Sequence, residues 1–328
     1  MKKNLKIWLI VMLAFALFAA ACGDDATTGE AEPFRIAIVA PSASNDLAFT
    51  QSIVDAVDVI KNEMGNVEVE VTDGTFVVED AAAAIRADAD DGVDLVIAHG
   101  SQYGGSLQEI APDFPDTSFA WGTAADTFGL PNVFAYEAAS DEGGYVMGVM
   151  AAALSESAVI GIVGPIEVGD AKLYVDGFAA GAKAQNPAAN VLVTYTDSFS
   201  DVALASETAQ SHAANGADVM SGTAQMVVGA VSVANDAGIL WFGTQANQTS
   251  LAPSIVVASQ VYHWEVVLRD IIGQMDSGTL GGEEFKIDLA NGGEVIEYND
   301  AFDLPADVRQ LGEDTIAGIK DGSISTGS

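Results

Sequence analysis

Four short segments of the chain carry amide, hydroxyl and aromatic side chains, the groups with which proteins bind neutral solutes. They span residues 42–51, 99–105, 222–226 and 243–248. Each segment follows an apolar run and precedes a predicted helix. Amides and hydroxyls supply hydrogen bonds without net charge, and aromatic rings supply flat surfaces for stacking. The segments therefore predict a binding site for a small, neutral, hydrogen-bonding solute.

Aromatic and polar residues of these segments are the predicted solute contacts. Phe49 and Tyr103, with Trp121 at the end of another apolar run, offer flat surfaces for a planar ligand. The other predicted contacts are Asn45, Asp46, His99, Ser101, Gln102, Gln225, Met226, Thr244 and Gln245. Two alternatives stay open. Asn45 or Asp46 can cap the following helix, and Phe49 also belongs to an apolar helix stripe that packs into a core.

Motifs for catalysis and metal binding are missing from the sequence. It has no G-x-S-x-G elbow, no phosphate-binding loop with its Lys-Ser/Thr, and no G-x-G-x-x-G after a strand. His99, His212 and His263 have neither a Cys cluster nor a His pair at metal-ligand spacing. We therefore predict a binding protein without enzymatic activity, metal or cofactor. The enzymatic alternative, a surface-anchored hydrolase, would need clustered Asp residues where these segments carry amides.

The first residues have the pattern of a lipoprotein signal. Lys2, Lys3 and Lys6 precede an apolar run over residues 7–21 that ends in small residues just before Cys22, the only cysteine. We predict that residues 1–21 form a signal peptide and that Cys22 carries a lipid. Residues 22–33, which are small and polar, are predicted to form a flexible tether. The protein would then work outside the cytoplasm, anchored to the cell membrane by that lipid.

The chain is strongly acidic, with 47 Asp and Glu against 12 Lys and Arg and a formal net charge of −35. Such a field repels nucleic acids and anionic lipids, so we predict neither as a partner. It also disfavours phosphorylated or carboxylate ligands, because few cations remain to build a basic pocket. Solubility, for instance at high salt, explains the acidity equally well and would say nothing about the ligand.

The elements that position these segments follow an alternating pattern. From Phe34 onward, short apolar runs typical of buried strands alternate with segments of helical periodicity, and the pattern restarts after a seam near residues 132–141. Such alternation predicts an α/β protein of two lobes, each a parallel sheet covered by helices. Open α/β sheets bind ligands at the carboxyl ends of their strands. We therefore expect the site in the cleft between the lobes, which can close by a hinge.

The C-terminal part supplies further elements after two complete runs, which indicates that the chain crosses back between the lobes. In this part we predict a helix over residues 261–275, a hairpin turn at Asn291-Gly292-Gly293 and a last helix over residues 306–320. The predicted N-terminal lobe consists of residues 34–135 and about 258–290. The predicted C-terminal lobe consists of residues 136–257 and about 291–328.

The order of several short motifs resembles the basic membrane protein (BMP) family, the substrate-binding lipoproteins of ABC importers that include purine-nucleoside receptors. The resemblance covers roughly residues 34–298. It rests on the motifs Asn45-Asp46-x-x-Phe49-x-Gln51, Tyr136-Glu137 with Gly143-Gly144-Tyr145, Gly161-Ile162-Val163-Gly164, Phe178-x-x-Gly181 and Gly216-Ala217-Asp218-Val219. Each motif alone is weak, but their order and spacing together are specific.

This resemblance implies a type I periplasmic-binding-protein fold and a monomeric receptor that hands a small neutral solute to an ABC permease and ATPase. In the family's nucleoside receptors an aromatic at the Phe49 position stacks on the base, which favours ligand contact for Phe49. Gln245 stands where those receptors hold the ribose with an Asp, and Tyr262 or His263 replaces a Lys. We therefore add Tyr262 to the predicted contacts and predict a purine nucleoside or nucleobase as solute. The alternatives are a sensory solute-binding lipoprotein and, as the enzymatic one, a surface nucleoside hydrolase.

Overall fold

The structure, a computed structural model, describes residues 32–327. The predicted signal peptide, Cys22 and nearly all of the predicted tether lie outside these residues. Within the described residues no helix is both long and apolar enough to cross a membrane. The strands are β1 (Phe34–Val39), β2 (Val67–Thr72), β3 (Leu95–His99), β4 (Ser118–Gly122), β5 (Val133–Ala138), β6 (Val159–Gly164), β7 (Asn190–Tyr195), β8 (Val219–Gly222), β9 (Leu240–Gln245), β10 (Val256–Tyr262), β11 (Glu284–Ile287) and β12 (Glu294–Tyr298).

Helices alternate with these strands along most of the chain, as the hydrophobic periodicity predicts. In the first of them the apolar stripe of Ile53, Val57 and Ile60 is buried. The α-helices are α1 (Phe49–Met64), α2 (Val78–Asp90), α3 (Gly104–Ile110), α4 (Ser140–Leu154), α5 (Gly169–Gln185), α6 (Val202–Ala214), α7 (Val227–Ala237), α8 (Glu265–Asp276) and α9 (Ala306–Lys320).

Each lobe is built on a six-stranded sheet. The sheet of the N-terminal lobe has the order β11-β5-β4-β3-β1-β2, and its described pairings are all parallel. The sheet of the C-terminal lobe has the order β12-β10-β9-β8-β6-β7, with β12 antiparallel to β10 and the other described pairings parallel. Central strands such as β3 and β4 are buried throughout, as in sheets covered on both faces. The predicted two-lobed α/β fold is confirmed.

The chain passes between the two sheets after β5, after β10 and between β11 and β12. β5 stays in the first sheet to Ala138, and β10 stays in the second sheet to Tyr262. The chain therefore leaves each sheet a few residues after the predicted lobe boundaries, which were residue 135 and about residue 258. The helix predicted to begin at residue 261 begins instead at Glu265, because Val261 and Tyr262 continue the β-rich run of β10 and pair with β12.

The hairpin predicted at Asn291-Gly292-Gly293 is wrong, because β11 and β12 belong to different sheets. A tight turn does form there. Asn291 Oδ1 accepts hydrogen bonds from the N–H groups of Asp288 and Gly293, at 3.0 and 2.9 Å. Gly292 has a φ of 77°, in the left-handed region that glycine adopts without strain. The turn residues therefore redirect the chain from one lobe to the other instead of pairing two strands.

Helices α4 and α5 pack with their backbones in near contact. A Cβ atom on Gly148 would lie 2.0 Å from the carbonyl oxygen of Phe178, and one on Gly181 would lie 2.0 Å from that of Tyr145. Only glycine allows backbones to approach so closely. Because the first residues of α5 line the cleft between the lobes, this packing fixes the position of that part of the cleft.

Candidate functional site

A cavity lies between the two lobes, on loops that follow the carboxyl ends of their strands. It contains about 410 Å³ of empty space, a figure that includes space open to solvent. The N-terminal lobe contributes Pro41, Phe49, Phe76, Ser101, Gln102 and Thr123. The C-terminal lobe contributes Val168, Asp170, Ala171, Phe199, Ala224, Gln225 and Gln245.

Some of the predicted residues meet in this cavity, namely Phe49, Ser101, Gln102, Gln225 and Gln245. The cavity wall also contains two aromatic residues and one acidic residue that were not among the predicted contacts, namely Phe76, Phe199 and Asp170. Phe76 and Phe199 lie in the loops after β2 and β7, so the strand-end rule that selected the other segments would have found them. No sequence signal separates Asp170 from the many other acidic residues of the chain.

Phe49, the first residue of α1, packs its ring against His99, the last residue of β3. The two ring centroids are 4.0 Å apart and the ring planes differ by 20°. Phe49 is 9% exposed and lines the cavity, whereas His99 is fully buried and is not part of the cavity wall. The ring of Phe49 therefore packs on a core residue and also reaches the cavity, and its contact with a solute stays a prediction.

Hydrogen bonds hold both ring nitrogens of His99. Its Nε2 lies 3.3 Å from the carbonyl oxygen of Phe49, and its Nδ1 lies 2.7 Å from the hydroxyl of Tyr136. Because a carbonyl oxygen only accepts, Nε2 carries the proton and Nδ1 accepts from Tyr136. Burial lowers the pKa of His99 to about 3, although the hydrogen bond to Phe49 opposes this. The imidazole is therefore neutral at neutral pH and acts as a fixed support for Phe49.

The carboxylate of Asp46 caps the start of α1. Its Oδ1 accepts a hydrogen bond from the N–H of Ala48 at 2.9 Å. Its Oδ2 accepts from the Ser42 hydroxyl at 2.6 Å and from the N–H of Thr50 at 3.2 Å. The neighbouring Asn45 is exposed, and neither residue belongs to the cavity wall. The geometry therefore favours the capping alternative for Asp46.

Tyr103 and Trp121, two predicted stacking surfaces, are buried outside the cavity lining. The Tyr103 hydroxyl donates to the carbonyl oxygen of Thr75 at 2.9 Å. The Trp121 indole donates to the carbonyl oxygen of Gly100 at 3.1 Å and stacks on Phe128, with ring centroids 4.8 Å apart. These contacts anchor the polar loop after β3, whose side chains reach the cavity.

Three further predicted contacts are buried and are not part of the cavity wall. Met226 packs in the apolar core. Thr244 donates its hydroxyl to the carbonyl oxygen of Gly222 at 3.1 Å. The hydroxyls of Tyr262 and Ser140 lie 2.7 Å apart, at the point where the chain crosses between the lobes. These side chains hold the loops and the crossing segments that surround the cavity.

Gln245 ends β9 with a backbone φ of 72°, in the left-handed region that few non-glycine residues adopt. Its side chain is 2% exposed and lines the cavity. Its Oε1 has no hydrogen-bond partner among the residues that the structure describes. A buried amide oxygen without a donor is unfavourable, so this oxygen is suited to accept a hydrogen bond from a bound solute.

Asp170, the second residue of α5, is the one carboxyl group in the described cavity wall, which includes no Lys or Arg. It is 6% exposed. Its Oδ1 accepts a hydrogen bond from the Thr123 hydroxyl at 3.2 Å, which joins the two lobes. Its Oδ2 has no partner within residues 32–327. Burial raises the pKa of Asp170 to about 6; the Thr123 hydrogen bond opposes this rise, and the nearby carboxyl of Glu137 adds to it.

Aromatic rings and amides together define what the cavity can bind. Planar groups can stack on the rings, and polar edges can reach the amides and hydroxyls. Within the described residues no group of three or more His, Cys, Asp or Glu could hold a metal ion. The rings and amides of the wall are Phe49, Phe76, Phe199, Gln102, Gln225 and Gln245.

Comparison with known proteins relates nearly all of the residues that the structure describes to one family. The family model described as "ABC transporter substrate-binding protein PnrA-like" matches residues 34–325. The chain is 28% identical to a purine-binding protein of Brucella abortus, over 75% of this chain and 69% of that protein. It is also 28% identical to the transcriptional activator protein Med of Bacillus subtilis, over 88% of each chain.

A solved structure supports the same fold. The solute-binding protein of an ABC transporter system from Conexibacter woesei superposes with a TM-score of 0.73, at 24% identity, covering 89% of this chain and 97% of that one. The matched family consists of solute-binding proteins of ABC transporters and is not an enzyme family. In importers such proteins work outside the cytoplasm. The chain therefore belongs to the basic membrane protein family of ABC-transporter substrate-binding proteins.

Proposed function

We propose that the protein captures a purine nucleoside or nucleobase for an ABC importer, in the cavity between its lobes. The observation that carries this proposal is the ring of Phe49, which is backed by His99 and lines a cavity rich in amides. A planar heterocycle with polar edges suits such a wall, because its face can stack while its edge binds amides and hydroxyls. The relative from Brucella abortus, named as purine-binding, supports the same solute class.

The proposed solute contacts are the predicted residues that line the cavity. Gln245 stands where the family's nucleoside receptors use an Asp for the ribose, so a ribose here would meet an amide instead of a charge. A nucleobase without a ribose is therefore as good a candidate as a nucleoside. The residues to which we assign solute contact are Phe49, Ser101, Gln102, Gln225 and Gln245. We assign a supporting role to His99, Tyr103, Trp121, Met226, Thr244 and Tyr262.

We further propose that a lipid on Cys22 anchors a monomeric receptor to the cell membrane, beside the permease and ATPase that it serves. The motif around Cys22 supports this, as does a family whose members deliver solutes to ABC transporters. Growing cells with a labelled fatty acid tests the anchor. We expect label in the wild-type protein and none in Cys22→Ser. Label in both proteins, or in neither, would contradict the anchor.

Calorimetric titration of the ligand-free protein with purine nucleosides and nucleobases tests the solute class. We expect saturable binding, with a Kd of about 1 μM or below for the preferred purine. Phe49→Leu keeps an apolar side chain but removes the stacking face. Because one base–aromatic stack is worth about 1–3 kcal/mol, we expect the affinity to fall about tenfold or more. Phe302→Leu, at a partly buried ring of the C-terminal lobe that does not line the cavity, is the matched control and should bind within about twofold of wild type.

Two results would count against this proposal. If no purine binds saturably, the solute class is wrong, although membership of the family stands. If Phe49→Leu binds as tightly as the wild type, Phe49 does not stack on the solute. Incubation with inosine and analysis of the products tests the enzymatic alternative, and we expect inosine to remain intact.

A further inference from the structure

The carboxyl group of Asp170 is buried in the cavity wall with only one of its oxygens satisfied by the protein. Asp170 is 6% exposed, and its Oδ1 accepts from the Thr123 hydroxyl at 3.2 Å. Its Oδ2 has no partner among the described residues. The backbone N–H groups of Asp170 and Ala171, at the start of α5, favour the charged form of the carboxyl. The cavity wall therefore presents a hydrogen-bond acceptor, Asp170 Oδ2, to which no described residue donates.

The groups that face Asp170 from neighbouring elements bring no positive charge. Glu137 on β5 and Tyr262 on β10 are the titratable groups that interact with it, and Thr123 is its one neutral donor side chain among the described residues. The described cavity wall includes no Lys or Arg. A buried carboxylate oxygen without a donor is strongly unfavourable. A donor from outside the chain therefore completes this site when the carboxyl is ionised.

We propose that Asp170 is a specificity-determining residue whose Oδ2 accepts a hydrogen bond from an N–H or O–H donor of the bound solute. Thr123 is the positioning residue that orients the carboxyl through Oδ1. This inference rests on the proposed function and deepens it, because purines that present a donor to this wall bind in preference to purines that lack one. Thr123 and Asp170 lie on opposite lobes, so the same carboxyl also links recognition of the donor to closure of the cleft.

The donor can belong to the base or to the ribose of a purine nucleoside. Three probes separate these sources. Inosine carries both a base N–H and ribose hydroxyls, hypoxanthine carries only base N–H donors, and purine riboside carries hydroxyls but no N–H on its base. Each probe presents the same planar ring to Phe49, so differences among them report on the polar contacts.

Calorimetric titration of wild type, Asp170→Asn and Asp176→Asn with these probes tests the inference. Asp176 lies on the same helix but is exposed and pairs with Lys172, so Asp176→Asn is the matched control. We expect Asp170→Asn to lose affinity by about tenfold to a hundredfold for the probes whose donor faces it, as for other charge-assisted hydrogen bonds. Loss confined to inosine and hypoxanthine assigns the donor to the base. Loss confined to inosine and purine riboside assigns it to the ribose.

Failure of this inference can be told apart from failure of the proposed function. If the wild type binds neither the three probes nor any other purine of the panel, the proposed function fails and the inference fails with it. If the wild type binds them but Asp170→Asn loses nothing, or loses affinity equally for all three, the inference alone is overturned. Equal loss would show a structural effect of the substitution, because the probes do not share one donor.

Thr123→Val gives a second test that does not depend on the folding of Asp170→Asn. The Thr123 hydrogen bond lowers the pKa of Asp170, so removing the hydroxyl should raise it. We expect inosine to bind more tightly above the pH midpoint of binding, and we expect Thr123→Val to move that midpoint upward by about half a unit or more. A midpoint that stays at its wild-type value would overturn the role of the pair.

Discussion

The imidazole of His99 stacks on the ring of Phe49 at 4.0 Å and donates from Nε2 to the carbonyl oxygen of the same residue at 3.3 Å. The end of β3 therefore holds both the ring and the backbone at the start of α1. Since the Nδ1 of His99 accepts from Tyr136 at 2.7 Å, three elements of the N-terminal lobe set the orientation of one cavity side chain. A residue that lines no part of the cavity thus controls a residue that does.

His99→Phe should weaken solute binding through Phe49. The substitution keeps an aromatic ring beside Phe49 but leaves the Tyr136 hydroxyl and the Phe49 carbonyl without their partner. We expect the free energy of unfolding to fall by about 1–3 kcal/mol and the purine affinity to fall several-fold. Urea unfolding and calorimetry measure the two effects. In a Phe49→Leu background, His99→Phe should no longer lower the purine affinity. An equal loss of affinity in that background would show that His99 acts independently of Phe49.

Asp170→Asn should change how stability depends on pH. Burial raises the pKa of Asp170 to about 6 in the folded protein, from an ordinary value of 3.8. Ionisation therefore opposes folding: the penalty is absent below the ordinary value, grows as the pH rises towards 6, and is complete above it. We expect the gain in unfolding free energy on Asp170→Asn to be about 2 kcal/mol larger at pH 8 than at pH 4.5. Urea unfolding of the ligand-free proteins measures it, and an equal gain at both pH values would contradict the raised pKa.

Gly148→Ala should strongly destabilise the C-terminal lobe. The new Cβ would lie 2.0 Å from the carbonyl oxygen of Phe178, so α4 and α5 would have to move apart. We expect a loss of about 3 kcal/mol or more in the free energy of unfolding. Gly273→Ala in α8 is the matched control, because its Cβ would meet nothing within 4 Å. Gly273→Ala should raise the free energy of unfolding by up to about 1 kcal/mol. Similar losses for both variants would contradict close packing of α4 on α5.

His263→Gln should destabilise the protein only while the imidazole is charged. His263 Nδ1 lies 3.1 Å from Glu265 Oε1, and its Nε2 lies 3.9 Å from Glu297 Oε1. The hydrogen bond with Glu265 and the nearby carboxylate of Glu297 raise the pKa of His263 to about 9, from an ordinary 6.5. The stabilisation is therefore complete below pH 6.5 and is lost as the pH rises through 9. The side chain is 37% exposed, so we expect a loss of about 1 kcal/mol at pH 6 and none at pH 10. A loss independent of pH in urea unfolding would contradict the charged pair.

Local pattern in the sequence determined most of the elements and the fold class. The predicted apolar helix stripe that contains Phe49 lies on α1, and strands alternate with helices from Phe34 onward as predicted. Such elements follow from hydrophobic periodicity, which depends on neighbours along the chain. The same pattern marked the strand-end loops, and five residues chosen there do line the cavity.

Contacts between distant residues decided the remainder. Val133–Ala138 becomes the strand β5 because it pairs with β4 and β11, and β11 lies almost 150 positions further along the chain. Within the 99–105 segment, Gln102 reaches the cavity whereas His99 and Tyr103 are buried behind it. Asp170 faces Thr123 across the cleft although the two residues are 47 positions apart in the chain. The spacing of residues in the sequence determines the face of its helix or strand on which a side chain lies. Whether that side chain also lines the cleft depends on how the two lobes pack, which only the tertiary structure determines.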